Sequence, residues 1–276
     1  MKKHILGFAA TAAFAILAAV PAEAHRQWLL PSATVLSGDD VWVTVDAAVS
    51  NDLFYFEHFP LRLDDVKAWA PDGSEGKIEN AATGRYRSSF DVHLTQKGTW
   101  RIASVAEMLT GSYTLDGKRE RLPRGTTAAN LAEKLPAGAT DVQTAEASNR
   151  NEIFVTVGAP TTTVFKPTGK GIELVPVTHP NDLYAGESAT FQFLLDGKPA
   201  AGLPVTVIPG GIRYRDQLNQ IDLTTDAEGK VAVTWPEPGM YWLNVTTPRG
   251  PRGAAGEDAA PARRASYVTT LEVLAP

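Results

Sequence analysis

The chain has 276 residues, a net charge of −5 and no cysteine, a length that fits one large or two medium domains. Without cysteine there are no disulfides, thiolate nucleophiles or Cys-type zinc or iron–sulfur sites. No apolar run of about 18 residues follows the opening segment, which excludes a polytopic membrane protein, and no basic stripe offers phosphate contacts to nucleic acid.

Lys2 and Lys3 precede an apolar stretch from Ile5 to Val20, and Ala22-Glu23-Ala24 has the A-x-A form of a cleavage site. This predicts a secretory signal peptide over residues 1–24. The mature protein is then expected in the periplasm, with no membrane insertion after processing.

Beyond residue 24 the hydrophobic pattern is that of strands. Val41-Trp42-Val43-Thr44-Val45, Phe90-Asp91-Val92-His93-Leu94, Ile153-Phe154-Val155-Thr156-Val157 and Val231-Ala232-Val233-Thr234-Trp235 are short, β-branched or aromatic runs, most of them bounded by Gly, Pro or Asp. Asp-Gly pairs at 72–73, 116–117 and 196–197 supply the positive φ that tight hairpins need. One stretch between Thr126 and Arg150 differs: Ala128 to Leu135 has apolar spacing for two helical turns before Pro136, which predicts a short helix on a long connection.

A linker is expected around Ala159-Pro160-Thr161-Thr162-Thr163, with a second strand set from Gly171. The expected architecture is all-β: two immunoglobulin-like β-sandwich domains, residues 25–162 and 163–276, with a short helical insertion. A surface excursion rich in Gly, Ala, Pro and Arg runs from Pro248 to Arg264, too poor in apolar residues to offset the entropy of ordering it.

Cleavage after Ala24 changes the chemistry of His25. A free α-amine with pKa of about 7.7–8.0 becomes a nitrogen ligand, and with the ring Nδ1 it chelates one metal ion. The mature chain keeps only three other histidines, His58, His93 and His179. His58 ends the aromatic run Phe54-Tyr55-Phe56-Glu57-His58-Phe59 before Pro60, and a strand end is both accessible and rigidly held. Asp91 and His93 share one face of a strand, a spacing that suits either a metal or solvent. His179, in Thr178-His179-Pro180-Asn181-Asp182, reads as part of a turn.

The candidate metal ligands are therefore His25, His58 and His93. With no cysteine and only Met108 and Met240 after processing, nitrogen and carboxylate donors point to a divalent transition metal such as Ni, Co, Cu or Zn. No G-x-S-x-G, P-loop, H-E-x-x-H or dinucleotide signature is present. Gly210-Gly211 reads as a turn. Arg213 to Asp216 follow it as a solvated strand end, and the six tryptophans read as core.

His25-x-x-Trp28-Leu29-x-Pro31-Ser32, followed by Val35, Gly38 and the strand from Val41 to Val45, resembles the opening of the DUF4198 family of exported proteins. Leu174-Val175-Pro176-Val177-Thr178-His179-Pro180, Leu194-Leu195-Asp196-Gly197-Lys198-Pro199 and Thr225-Asp226-Ala227-Glu228-Gly229 to Tyr241-Trp242 are similar to its second, immunoglobulin-like part. The resemblance implies a periplasmic component of a nickel or cobalt uptake system, with a membrane transporter or outer-membrane receptor as partner. It carries over His25 as a ligand and, by position, His58 as its companion. Arg26 and Gln27 depart from the acidic and aromatic residues expected between His and Trp. An N-terminal His with Asp-x-His on a β-sandwich is also locally similar to the CopC copper carriers.

The expected function is non-enzymatic binding of a transition-metal ion, or its chelate, for delivery to a transport system. Two alternatives stand beside it. One is a metal-free adaptor whose immunoglobulin-like surfaces meet a receptor or polysaccharide, and the other is a copper oxidase built on an N-terminal histidine.

Overall fold

A computed structural model of the protein describes residues 25–248 and 263–276. The expected signal peptide and all but the ends of the 248–264 excursion lie outside the described residues. The fold is all-β. The one α-helix among the described residues is Leu131–Lys134, half the length expected from Ala128 to Leu135. Pro136 stops its last turn, and none of its residues is buried, so nothing from packing extends it.

Three sheets build two face-to-face layers. A five-stranded sheet orders Arg26–Pro31, Trp42–Ser50, Ser88–His93 and Glu79–Thr83, with Phe59–Pro60 also paired to Trp42–Ser50. A four-stranded sheet is built on Ser188–Leu195, flanked by Ile172–Pro176, Lys198–Pro199 and Lys230–Thr234. The third sheet has ten strands and backs both of the others. Its middle runs Pro204–Pro209, Gly239–Thr246, Arg264–Val273, Thr140–Val157, Gly98–Leu115 and Val66–Trp69. Each smaller sheet on this backing makes a sandwich of the immunoglobulin-like type.

Side-chain alternation sorts the cores. In Trp42–Ser50, Val43, Val45 and Ala47 point inward and meet Phe90, Val92, Trp100 and Ile102. Across the four-stranded sheet, Phe191, Phe193, Trp235, Tyr241 and Tyr267 fill a second core, with Trp235 and Tyr241 edge-on at 5.1 Å. A third cluster joins Trp28, Ala48 and Leu53 to Ile208, Trp242 and Val268. It packs the first strand against the last ones.

Thr140–Val157 is the shared wall. Residues 150–157 are buried on both faces. Ile153, Val155 and Val157 enter the first core, while Phe154 enters the second. The second face also carries Arg150 and Glu152, which are 5% and 3% exposed. Arg150 reaches Glu152 at 3.4 Å and Glu173, from Ile172–Pro176, at 3.2 Å. Both oxygens of Glu173 are satisfied: Oε1 accepts from the Thr168 backbone and hydroxyl at 2.8 and 2.7 Å, and Oε2 from the Gly169 N–H at 2.8 Å. Arg101 lies within electrostatic range of all three charges, so two cations face two carboxylates. Buried charge is tolerated only when paired and bonded in this way.

Removing one member strands the rest, so Arg150→Met is expected to cost about 3–5 kcal/mol in urea unfolding. Arg62→Met, at a surface pair with Asp64 that is 88% and 68% exposed, is expected to cost less than about 1 kcal/mol.

Candidate metal centre

The first strand and the end of the aromatic loop meet at one corner of the five-stranded sheet. Arg26 pairs with Ser50, and Phe59 with Val49, which brings the preceding residues, His25 and His58, side by side. Their ring centroids are 4.8 Å apart at an interplanar angle of 80°, and Phe59 closes the corner 5.9 Å from the His25 ring.

The His58 ring is oriented from below. Asn51 Nδ2 donates to His58 Nε2 at 3.1 Å, so the ring proton sits on Nδ1 and points at Ser50 Oγ, 3.2 Å away. The buried Ser50 hydroxyl in turn donates to Glu57 Oε1 at 3.4 Å, and that carboxylate is 3.6 Å from His58 Nδ1. This His–Ser–Glu chain fixes the tautomer and leaves the Nε2 lone pair on the exposed side, the arrangement found behind metal-binding imidazoles. An ion at Nε2 would have to displace the Asn51 amide. Glu57 lies on the Nδ1 side, where it orients the ring rather than ligating.

His93 is elsewhere. It pairs with Trp42 at the opposite end of the strand whose Ser50 end carries the corner, about 26 Å away at 3.3 Å per residue. There it stacks on Trp42, with ring centroids 4.3 Å apart and planes 1° from parallel, and Asp40 contacts its Nε2 at 2.9 Å. Asp91, on the same strand as His93, is bonded by Thr44 and Asn80. These hydrogen bonds hold its carboxyl below the ordinary value. Trp28 packs under Phe54 and Phe56 in the third cluster.

His179 sits in a seam. Its Nδ1 accepts the Asn181 N–H at 3.1 Å, so Nε2 carries the proton and donates to Thr99 Oγ1 at 3.0 Å. Thr99 bonds Thr156, and Thr156 donates to Asn181 Oδ1 at 2.8 Å. The network ties the turn after Ile172–Pro176 to Thr140–Val157, in keeping with the turn role read from sequence.

Among the described residues no group of three or more His, Cys, Asp or Glu side chains can hold a metal ion. Two imidazoles meet, and a third donor has to come from elsewhere. Sequence reasoning named His25 and His58 but missed Ser50, Asn51 and Glu57. The adjacency of Glu57 to His58 was the available signal; the other two depend on strand register.

Layering, strand order and this corner define an immunoglobulin-like β-sandwich protein with a histidine pair at a strand edge. The chain belongs to the DUF4198 family, a domain of unknown function that matches residues 22–249. No curated protein matches it. Among solved structures, the D0-D1 domain of intimin is 12% identical and aligns over 89% of this chain and 97% of its own, at a TM-score of 0.21. Latent PorU from Porphyromonas gingivalis is 11% identical over 90% of this chain and 20% of its own, at 0.20. Among the described residues no helix is long and apolar enough to cross a membrane.

Burial lowers the pKa of His179 below the ordinary histidine value of about 6.5. The unfolded chain therefore takes up a proton as pH falls through about 6.5 while the folded one resists, and stability present above that pH is lost below it. His179→Gln is expected to show a shallower fall in Tm than the native protein between pH 7.5 and 5. Parallel curves would remove His179 as the cause.

Proposed function

We propose that the protein is exported, cleaved before His25, and binds a divalent transition-metal ion of the nickel, cobalt or copper type as cargo for a transport system. The observation that carries this reading is the meeting of His25 and His58, two of the four histidines beyond residue 24, with rings 4.8 Å apart.

The donor set suits such a cargo. Imidazole nitrogens match Ni, Co, Cu and Zn ions, with affinity rising towards copper. The α-amine released by cleavage is the third nitrogen that the described side chains lack. It shares a residue with the His25 ring, so the two close one chelate. His58 adds Nε2 from the opposite strand end, and Ser50 and Glu57 hold its other nitrogen. A corner with three nitrogen donors on the protein surface leaves coordination positions open. Few bonds then exchange on transfer, which favours handing the ion to a membrane transporter or outer-membrane receptor.

A chain beginning at His25 is expected to bind one Ni(II), Co(II) or Cu(II) ion in native mass spectrometry. One extra N-terminal residue, or His58→Ala, is expected to weaken binding at least 100-fold, and Ser50→Ala by about 10-fold through loss of the orienting bond. His93→Ala is expected to leave it unchanged. Equal binding by the native and extended chains would discard the chelate and favour the metal-free adaptor. Reductant-dependent peroxide formation by the copper-loaded protein would instead favour the oxidase.

A further inference from the structure

A cavity of about 510 Å³ opens where the first strand and the loop after Ser50 meet the loops at the far end of the second sandwich. Its walls are apolar and stiff, formed by Leu30, Phe54, Pro209, Pro238, Met240 and Tyr241. A volume in the range of about 300–1,000 Å³, at a seam between two packed layers, is that of a small-molecule site.

The polar groups in the wall are already committed. Arg215 spends its guanidinium on backbone carbonyls, donating to Pro209, Gly210, Gln217 and Leu218 at 2.5–3.0 Å. The Tyr241 hydroxyl donates to the Glu237 carbonyl at 2.7 Å. Glu237 is exposed and keeps its carboxylate in water. The interior thus holds no cation or anion in need of a counter-ion. Asn219, also exposed, lies at the mouth and offers a single amide to a polar tip.

Phe54 is held in the wall by a turn, closed by the Tyr55 N–H donating to the Asp52 carbonyl at 3.2 Å. Its backbone has φ of 60°, a left-handed conformation that costs a bulky residue energy and persists only when neighbours impose it. The ring itself is placed by Trp28, edge-on at 5.8 Å, and by Gly210, where a Cβ would lie 2.9 Å from Phe54 Cδ2. Only glycine at 210 lets the phenyl ring lie where it does.

We propose that this cavity binds a small, uncharged, ring-bearing organic molecule, stacked on Phe54 between the proline walls, with any polar group directed at Asn219. The site is distinct from the histidine corner and does not depend on a metal ion.

The probe is 6-propionyl-2-(dimethylamino)naphthalene, an uncharged aromatic whose emission shifts to the blue in an apolar site. The native protein is expected to give a saturable shift at one probe per chain. Met240→Trp, which fills the cavity, and Gly210→Ala, which displaces Phe54, are each expected to weaken binding at least tenfold with Tm within a few degrees of native. His58→Ala is expected to bind as the native protein does. Absence of a saturable shift, or equal binding by native protein and both cavity variants, would overturn the proposal.

Discussion

Everything in this molecule leans on one strand that has no wet side. From Arg150 to Val157 the strand Thr140–Val157 is buried on both faces, and it lends alternate residues to two different cores. A strand sealed on both faces is ordinarily a run of aliphatics. Here one face is Asn151, Ile153, Val155 and Val157, while the other is Arg150, Glu152, Phe154 and Thr156. On the second face Arg150 is answered by Glu173, and Thr156 by Asn181 and, through Thr99, by His179. Charge pairing and hydrogen bonding thereby dock the strand Ile172–Pro176 and its following turn in a fixed position. Burial also pushes the Tyr267 hydroxyl well above its usual pKa, so it stays protonated beside Glu152.

Sequence periodicity reached the strands because their inward residues are β-branched or aromatic at every second position, as in Val43, Val45, Phe90 and Val92. The Asp-Gly pairs at 116–117 and 196–197 do turn with positive φ at both residues. Periodicity did not show how far Gly98–Leu115 and Thr140–Val157 extend, since their outer halves carry polar residues that pair with each other instead of entering a core. The parallel pairing of Thr140–Val157 with Arg264–Val273 joins residues more than a hundred positions apart, and no local signal encodes that. The short helix was overread because its alanines satisfy a helical spacing without any surface to pack against.

For the candidate site, residue type was informative and register was not. Scarcity singled out the four histidines, and the strand-end position of His58 made it the companion of His25. What separates His93 from them is the length of Trp42–Ser50, a quantity set by the hydrogen-bond ladder. The same loop that ends in His58 begins with the strained Phe54, so the histidine corner and the apolar cavity share one short segment anchored at Ser50 and Pro60.

The charged set of Arg101, Arg150, Glu152 and Glu173, the last three of them buried, also limits how this sequence can drift. Two arginines balance two glutamates, and the four lie on three strands, the middle one of which pairs or packs directly against the other two. A lineage that loses one of these residues passes through a form with an uncompensated charge in a dry interior. Descendants are therefore expected to hold all four ionic residues or to have exchanged them together for apolar ones, with Thr168 and Gly169 released from their fixed loop in the second case. Co-variation at positions 101, 150, 152 and 173 would be the genealogical trace of a wall that must stay neutral.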